Sequence, residues 1–311
     1  MVSLLHPTVR ERAEELRRQF DTAQPFRHVV VEPFLDPPLC RELIAGFPAF
    51  DQRYAKNERG EPGRKAAIPD IARLGPAYAR FDGLMQDREF LSLLGRITGI
   101  AGLLYDPEYV GGGTHENLSG QDLDSHVDFN YHPRGLHRRL NLIVFLNPEW
   151  EEAWGGCLEL LREPWAEAAR TIVVPLANRA VIFETTESSW HGFRRIQTPA
   201  GREISRKSIA VYFYTKNRPA EETAPSHGTL YYQRPLPAHI QAGHTLRAED
   251  VAQIRELLTR RDTHVRFLYE RELEFSGLLS GIIGSPTFRL ARALVWPARA
   301  TRALARRIRR G

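Results

Sequence analysis

From Leu104 to about Thr215 the chain is a succession of short apolar segments with no helical stretch between them, and this limits the fold more than any other feature. The segments LLYDPEYVGGG, LDSHVDFN, LNLIVFLN, GCLELL, TIVVPLANRAVIFE, SWHGFRRI and SRKSIAVYFYT are rich in Val, Ile, Phe and Tyr. Such residues suit a pleated, half-buried surface, and the Gly, Pro and Asn between them end one strand before the next begins. Seven or eight short strands without long helices between them predict a mainly β core, a jelly-roll or barrel-like double sheet.

The flanks are of a different texture. Residues 8–20 carry charges at nearly every second position and predict a solvated helix. FRHVVVEPFL follows as a strand, and DPPLCRELIAGFP as a helix with an Asp36 N-cap, prolines in its first turn and a stop at Gly46 and Pro48. KNERGEPGRKAAIPD is polar and rich in Gly and Pro, so it is a predicted surface loop, and FDGLMQDREFLSLLGRITGI returns to helical periodicity. Residues 219–248 carry four prolines and read as a wrapping segment or linker. Residues 249–275 place Val251, Ile254, Leu258, Val265, Leu268 and Phe275 at three- and four-residue steps, a helical pattern and a candidate homodimer surface. The division expected is a domain over 1–225 with supporting helices at its N-terminus, a linker over 226–248, and a helical extension over 249–311.

Within the β region, SHVDFNYHP sets His126 and Asp128 two residues apart in an extended segment, so both side chains leave the same face. His191 follows 63 residues after Asp128, in SSWHGF, beyond the apolar strand RAVIFE. Two imidazoles and one carboxylate suit Fe(II) with positions left open, two ligands coming from one strand and the third from a spatially adjacent one. Arg206 and Ser208 share a face at the start of SRKSIAVYF, and that face continues with Ala210 and Tyr212. A guanidinium at the head of so apolar a strand is costly to bury without an anion, and it binds a carboxylate bidentately. Lys207 alternates to the other side and reads as a solvent residue.

The order HxD, a distant His, then RxS opening a strand resembles the Fe(II)/2-oxoglutarate-dependent oxygenases, and within them the bacterial members of the prolyl-4-hydroxylase-like branch. The likeness covers about residues 25–217, through HVDFNYHP, LHRRLNLIVFLNPEWEEAWGGCLELL, VVPLANRAVIFETTESSWHGF and SRKSIAVYFYT. It implies an α+β fold around a double-stranded β-helix. It implies Fe(II) on His126, Asp128 and His191, and the distal carboxylate of 2-oxoglutarate on Arg206 and Ser208. O2 is the other cosubstrate, succinate and CO2 are the coproducts, and ascorbate is a supporting reductant. Asn141, in LNLIVF, and His115, in GGGTHE, are secondary candidates for contact with the cosubstrate. One departure stands out: Arg206 lies 15 residues after His191, farther than is usual in prolyl hydroxylases. The extra residues, QTPAGREI, read as a looped-out turn and leave Arg202 as the weaker competitor. Trp154, Gly155 and Gly156 read as a tight turn before CLELL, and Tyr131 and His132 as loop residues.

Charge is unevenly placed. The formal net charge is +5, yet eight arginines and no acidic residue follow Glu274, so the rest of the chain is acidic. That asymmetry predicts an attachment segment rather than a nucleic-acid-binding body. In residues 285–311, Ser285 and Pro286 read as a helix start, and Phe288, Ala291, Leu294, Val295, Ala298, Ala305 and Ile308 share one helical face, with a kink at Pro297. Such a basic amphipathic helix suits an anionic membrane surface. No secretory leader and no run of about 18 apolar residues is evident, and the two cysteines make no disulfide framework. A cytoplasmic protein, peripheral at the inner membrane face, is the expectation. The expected activity is hydroxylation of a small molecule, glycan or lipid-linked precursor. The alternatives are a hydroxylase of prolyl, asparaginyl or aspartyl side chains, or a non-catalytic sensor of metal or 2-oxoglutarate.

Overall fold

The computed structural model describes residues 2–55, 65–164 and 170–291. The chain divides into two compact units, 1–232 and 233–311. In the first, the helices are α1 (Pro7–Glu11), α2 (Ala13–Thr22), α3 (Pro37–Ala45), α4 (Pro76–Met85) and α5 (Arg88–Thr98). Its strands are β1 (His28–Val31), β2 (Lys65–Ile68), β3 (Leu104–Tyr105), β4 (Gly113–Asn117), β5 (Leu123–Val127) and β6 (His137–Phe145). They continue with β7 (Leu158–Leu161), β8 (Arg170–Val173), β9 (Ala180–Glu184), β10 (Trp190–Phe193), β11 (Arg206–Thr215) and β12 (Leu230–Tyr231).

From β4 onward the chain passes back and forth between two antiparallel sheets. The larger has the order β1-β9-β6-β11-β4-β2, with β3 also on β11, and the smaller the order β12-β5-β10-β7-β8. Phe145, Val181 and Phe183 from the larger sheet pack with Leu158, Leu160 and Val173 from the smaller in one buried cluster. Two sheets face to face, fed alternately by one chain, form a double-stranded β-helix.

The central strands are dry on both sides. Leu140, Leu142 and Val144 of β6 and Ile209, Val211 and Phe213 of β11 point away from the smaller sheet into the main core, where they meet Phe90, Leu94 and Ile97 of α5. This two-sided burial is why LNLIVF and SIAVYF read as continuous apolar runs instead of alternating ones. Each fully buried Leu, Ile or Phe contributes about 1.5–3 kcal/mol, so the helical layer and the sheets hold each other. Helix α5 shows how the sequence stops and starts that layer. The Asp87 side chain accepts hydrogen bonds from Glu89 N and Phe90 N, and Gly99 ends the helix in the left-handed conformation.

Several local expectations change. Residues 8–20 form two helices, and Val9, Ala13, Leu16 and Phe20, at steps of four, three and four, make a buried stripe rather than a solvated face. Asp36 occupies the N-cap position of α3, but its side chain makes no capping hydrogen bond. Among the described residues between 104 and 215 there are nine strands. The extra one, β4, is the polar GTHEN, whose five residues are all buried because β2 and β11 flank it on either side. β2 forms inside the expected surface loop, whose residues 56–64 lie outside the described residues. β12 pairs with β5, and residues 226–232 group with the first compact unit.

In the second unit, α6 (Ala248–Gly284) runs nine residues beyond the expected end at Phe275. Asp250 caps it: one carboxylate oxygen accepts from Arg247 N at 2.8 Å and from His244 Nε2 at 2.9 Å, the other from His239 Nε2 at 2.8 Å. The tail residues Leu294, Val295, Pro297, Ala298, Ala305 and Ile308 lie outside the described residues. Among the described residues no helix is long and apolar enough to cross a membrane.

Gly113, at the head of β4, has φ +106°, and a Cβ there would stand 2.1 Å from the Ile68 carbonyl oxygen. The Gly113→Ala substitution should therefore destabilise the fold by about 3 kcal/mol, seen as a lower urea midpoint. An unchanged midpoint would show that the β2–β4 edge yields freely.

Candidate active site

Pairing of β10 with β5 sets His191 directly opposite His126. The ring centroids are 4.2 Å apart. β5 ends at Val127, so Asp128 sits one residue past the strand but still on the His126 face. Its Oδ1 is 3.6 Å from His126 Nε2 and its Oδ2 is 3.4 Å from His191 Nε2. One ligand atom from each of the three lies within 4.8 Å of the others. Both imidazoles are fixed in the same way. His126 Nδ1 donates to the Asp124 carbonyl and His191 Nδ1 to the Ser189 carbonyl, each at 3.0 Å. With Nδ1 carrying the proton, Nε2 holds the lone pair and faces the carboxylate, which is the tautomer a metal requires.

A second layer orients the carboxylate. Asn141 Nδ2 donates to Asp128 Oδ2 at 2.7 Å and Arg138 Nη2 donates to the same oxygen at 2.9 Å. Arg138 is itself buried and donates through Nε and Nη2 to Asn141 Oδ1 at 3.0 and 2.8 Å. Its guanidinium lies 3.5 Å from the Tyr212 ring centroid and 4.4 Å from that of Phe129. Burial raises the Asp128 carboxyl, but the Arg138 charge and the Asn141 amide, joined by either histidine when it is protonated, outweigh it and hold the group well below the usual carboxylate range. Asn141 thus touches Asp128, a candidate ligand, directly. Sequence reasoning missed Arg138, although the paired arginines of HRRLN carried the signal. β6 is buried on both faces, and its register against β11 shifts between Phe213 and Tyr214, so that Arg138 and Asn141, three residues apart, share the inner face. Arg139, on the other face, is paired with Glu184 at 2.9 Å.

Arg206 is the other buried cation of the inner face. It is 4% exposed, and among the described residues no carboxylate pairs with it. Its Nε donates to the Gly156 carbonyl at 2.6 Å. The Phe193 and Phe145 ring centroids lie 4.4 and 5.1 Å from the guanidinium carbon. Burial lowers its pKa to about 10, which leaves it charged at neutral pH. Ser208 follows on the same face, also buried, with His115 directly across in β4. Arg202 is exposed and pairs with Glu149, so it does not compete. The tight turn at Trp154–Gly156 has a role beyond turning. Gly155 and Gly156 have φ of +67° and +68°, and Gly156 supplies the carbonyl that receives Arg206. The triad and Arg206 line one inter-sheet layer: Phe183 packs on His191 at 4.9 Å, and Phe145, in the same cluster, packs on Arg206.

Two other His–carboxylate groups come within ligand distance among the described residues, His239–His244–Asp250 and Asp106–Glu108–His132. Each is already committed to structure. Asp250 caps α6. Asp106 accepts from Glu108 N and Val110 N, and His132 Nδ1 accepts from Arg134 N. His132 is thus a buried structural residue, and Tyr131 bridges to His137.

Residues 113–214 match the sequence model of the 2OG-Fe(II) oxygenase superfamily, and they contain the triad, Arg206 and the strands that carry them. Among curated proteins, mouse prolyl 3-hydroxylase OGFOD1 is 30% identical over 114 residues, which are 35% of this chain and 19% of that protein. The match therefore spans about a fifth of the relative's length. Among solved structures, a Trichoplax adhaerens prolyl hydroxylase in complex with a hypoxia inducible factor peptide has 14% identity and a TM-score of 0.48, covering 70% of this chain and 96% of its own. HygX from Streptomyces hygroscopicus, with nickel and 2-oxoglutarate bound, has 15% identity and a TM-score of 0.47, with the same coverage. A Pseudomonas putida prolyl-4-hydroxylase has 17% identity and a TM-score of 0.41, covering 69% and 96%.

The superfamily uses Fe(II), 2-oxoglutarate and O2. The residues fit that set: two imidazoles with Nε2 free of its proton, an ionised carboxylate held by its neighbours, and a buried guanidinium without an acidic partner. The Asn141→Ala substitution should weaken Mn(II) binding about 10- to 100-fold by titration calorimetry, because Oδ2 of Asp128 loses an orienting donor. Unchanged affinity would show that Arg138 alone suffices.

Proposed function

We propose that this protein is an Fe(II)- and 2-oxoglutarate-dependent dioxygenase that hydroxylates a small molecule, glycan or lipid-linked precursor and releases succinate and CO2. The observation that carries the reading is Arg206, a buried cation in the same inter-sheet layer as a ligand-ready His–Asp–His set. A protein that only bound metal would have no use for an anion seat there. His126, Asp128 and His191 would hold the iron, and Arg206 with Ser208 would take the distal carboxylate of 2-oxoglutarate, with His115 opposite them. When bound, iron and cosubstrate supply the oxidising power that replaces a substrate C–H by C–OH. The chain's own part is to orient the ligands through Arg138 and Asn141, to neutralise a dicarboxylate, and to exclude water with Phe145, Phe183 and Phe193. A second reading, hydroxylation of a prolyl residue in a protein, is supported by the printed activity of the mouse relative.

With Fe(II), ascorbate and 2-oxoglutarate the wild-type protein should release succinate slowly even without a prime substrate, and both His126→Ala and Arg206→Gln should abolish the release. Equal background in all three would sink the enzyme reading. A panel of glycans, lipid-linked precursors and prolyl peptides then separates the two substrate classes by which one accelerates succinate formation and gains one oxygen by mass.

For the partners, we infer self-association through the helix at 249–275 and contact of residues 285–311 with an anionic membrane surface. Full-length protein should co-sediment with vesicles containing anionic lipid, and a truncation ending at Gly284 should not. Equal sedimentation would remove the tail from the membrane.

A further inference from the structure

Helix α6 has 37 residues, about 55 Å of helix, and of these only Asp250 is buried. Apolar residues also stand elsewhere on it, Tyr269, Leu273, Leu278 and Ile283 among them, but eight keep one continuous register. Val251, Ile254, Leu258, Val265, Leu268, Phe275, Leu279 and Ile282 occupy alternating steps of three and four, a period of 3.5, and only Arg261 and Glu272 interrupt it. Six of the eight, from Leu258 to Ile282, are between 45% and 59% exposed. A 3.5-residue repeat held over more than four heptads is the pattern of a helix that supercoils with another, because a lone helix of 3.6 residues per turn would let such a stripe drift.

The two interruptions identify the partner and its direction. In a parallel pair of identical helices Arg261 would meet Arg261 of the partner subunit and Glu272 would meet Glu272 of the partner subunit, which puts like charges in the seam twice. In an antiparallel pair, with the two-fold axis between residues 266 and 267, Arg261 meets Glu272 of the partner subunit, and the two-fold repeats that ion pair. The same axis joins every remaining seam position to an apolar one: 251 with 282, 254 with 279, 258 with 275, and 265 with 268. Leu257, beside the seam, falls next to Leu278 of the partner subunit. Within its own chain Glu272 has no ion-pair partner among the described residues, and Arg261 makes only a 3.5 Å hydrogen bond to the Arg234 carbonyl.

We propose that α6 is the interface of a homodimer, an antiparallel two-stranded coiled coil over residues 251–282 whose register is fixed by reciprocal Arg261–Glu272 pairs. This self-complementary contact has closed two-fold symmetry, so it stops at two copies. It is independent of the reaction assigned to the β core.

The test is a charge-reversal cycle on the full chain, read by size-exclusion chromatography with light scattering at micromolar concentration. Far-UV circular dichroism and the melting curve serve as fold controls. Wild type should have twice the chain mass. Arg261→Glu and Glu272→Arg should each raise the dimer dissociation constant at least about 100-fold, since each sets like charges face to face twice. The combined Arg261→Glu/Glu272→Arg variant should restore the dimer, a result a parallel seam cannot give because its like pairs would persist. A monomeric wild type, singles that remain dimeric, or a combined variant that remains monomeric while folded would each overturn the proposal. A monomer that instead sediments with anionic vesicles through α6 would assign the apolar stripe to lipid.

Discussion

The molecule is organised around the need to keep β6 and β11 dry on both faces. One face of each strand is sealed by the helical layer and the other by the smaller sheet, so any polar side chain on them must find a partner or be left to wait for one. Arg139 meets Glu184 on one side. On the other, Arg138 and Asn141 are consumed by Asp128, while among the described residues Arg206 meets a peptide carbonyl and two aromatic rings. A full positive charge is costly to keep in that setting, and the carbonyl and the two ring faces offset part of the cost. The inter-sheet layer thus holds one half in which the carboxylate of Asp128 is met by several donors, and another in which the guanidinium of Arg206 meets no carboxylate among the described residues.

The half around Asp128 depends on strand pairing rather than on loops. His126 and His191 are cross-strand partners, so their separation is set by the pitch of the smaller sheet, and each ring is oriented by a carbonyl two residues before it in its own chain. Such local restraints cost little to maintain, because they are part of the strand's own backbone geometry. Rigid elements hold reactive groups more closely than loops do, and here only Asp128 stands just beyond its strand.

Most of this was legible in the sequence for a physical reason. His126, Asp128, His191 and Arg206 each stand in a segment whose apolar neighbours announce burial, and a polar group in such company demands an explanation. The misses have reasons too. β4 escaped because Thr-His-Glu-Asn has no apolar pattern, and only its position between two strands makes it extended. The buried stripe of α1 and α2 was masked by charges that fill the other faces of the same helices. Arg138 was overlooked because alternation from Leu140 would aim it into the core, and only the register shift beside Tyr214 brings it to the inner face with Asn141. The Gly156 carbonyl, a backbone group, has no residue signature at all.

The connection between β10 and β11 has a consequence of its own. Residues 194–197 are stitched down by bonds to Gly156, Trp154 and Gln121, and the strand resumes at Arg206. The stretch between, with an open glycine at 201, holds neither the third ligand nor the cation in place. Its length therefore does not set the distance between the two anchors, which makes sequence spacing between those positions a poor ruler and their shared wall of aromatic rings a better one.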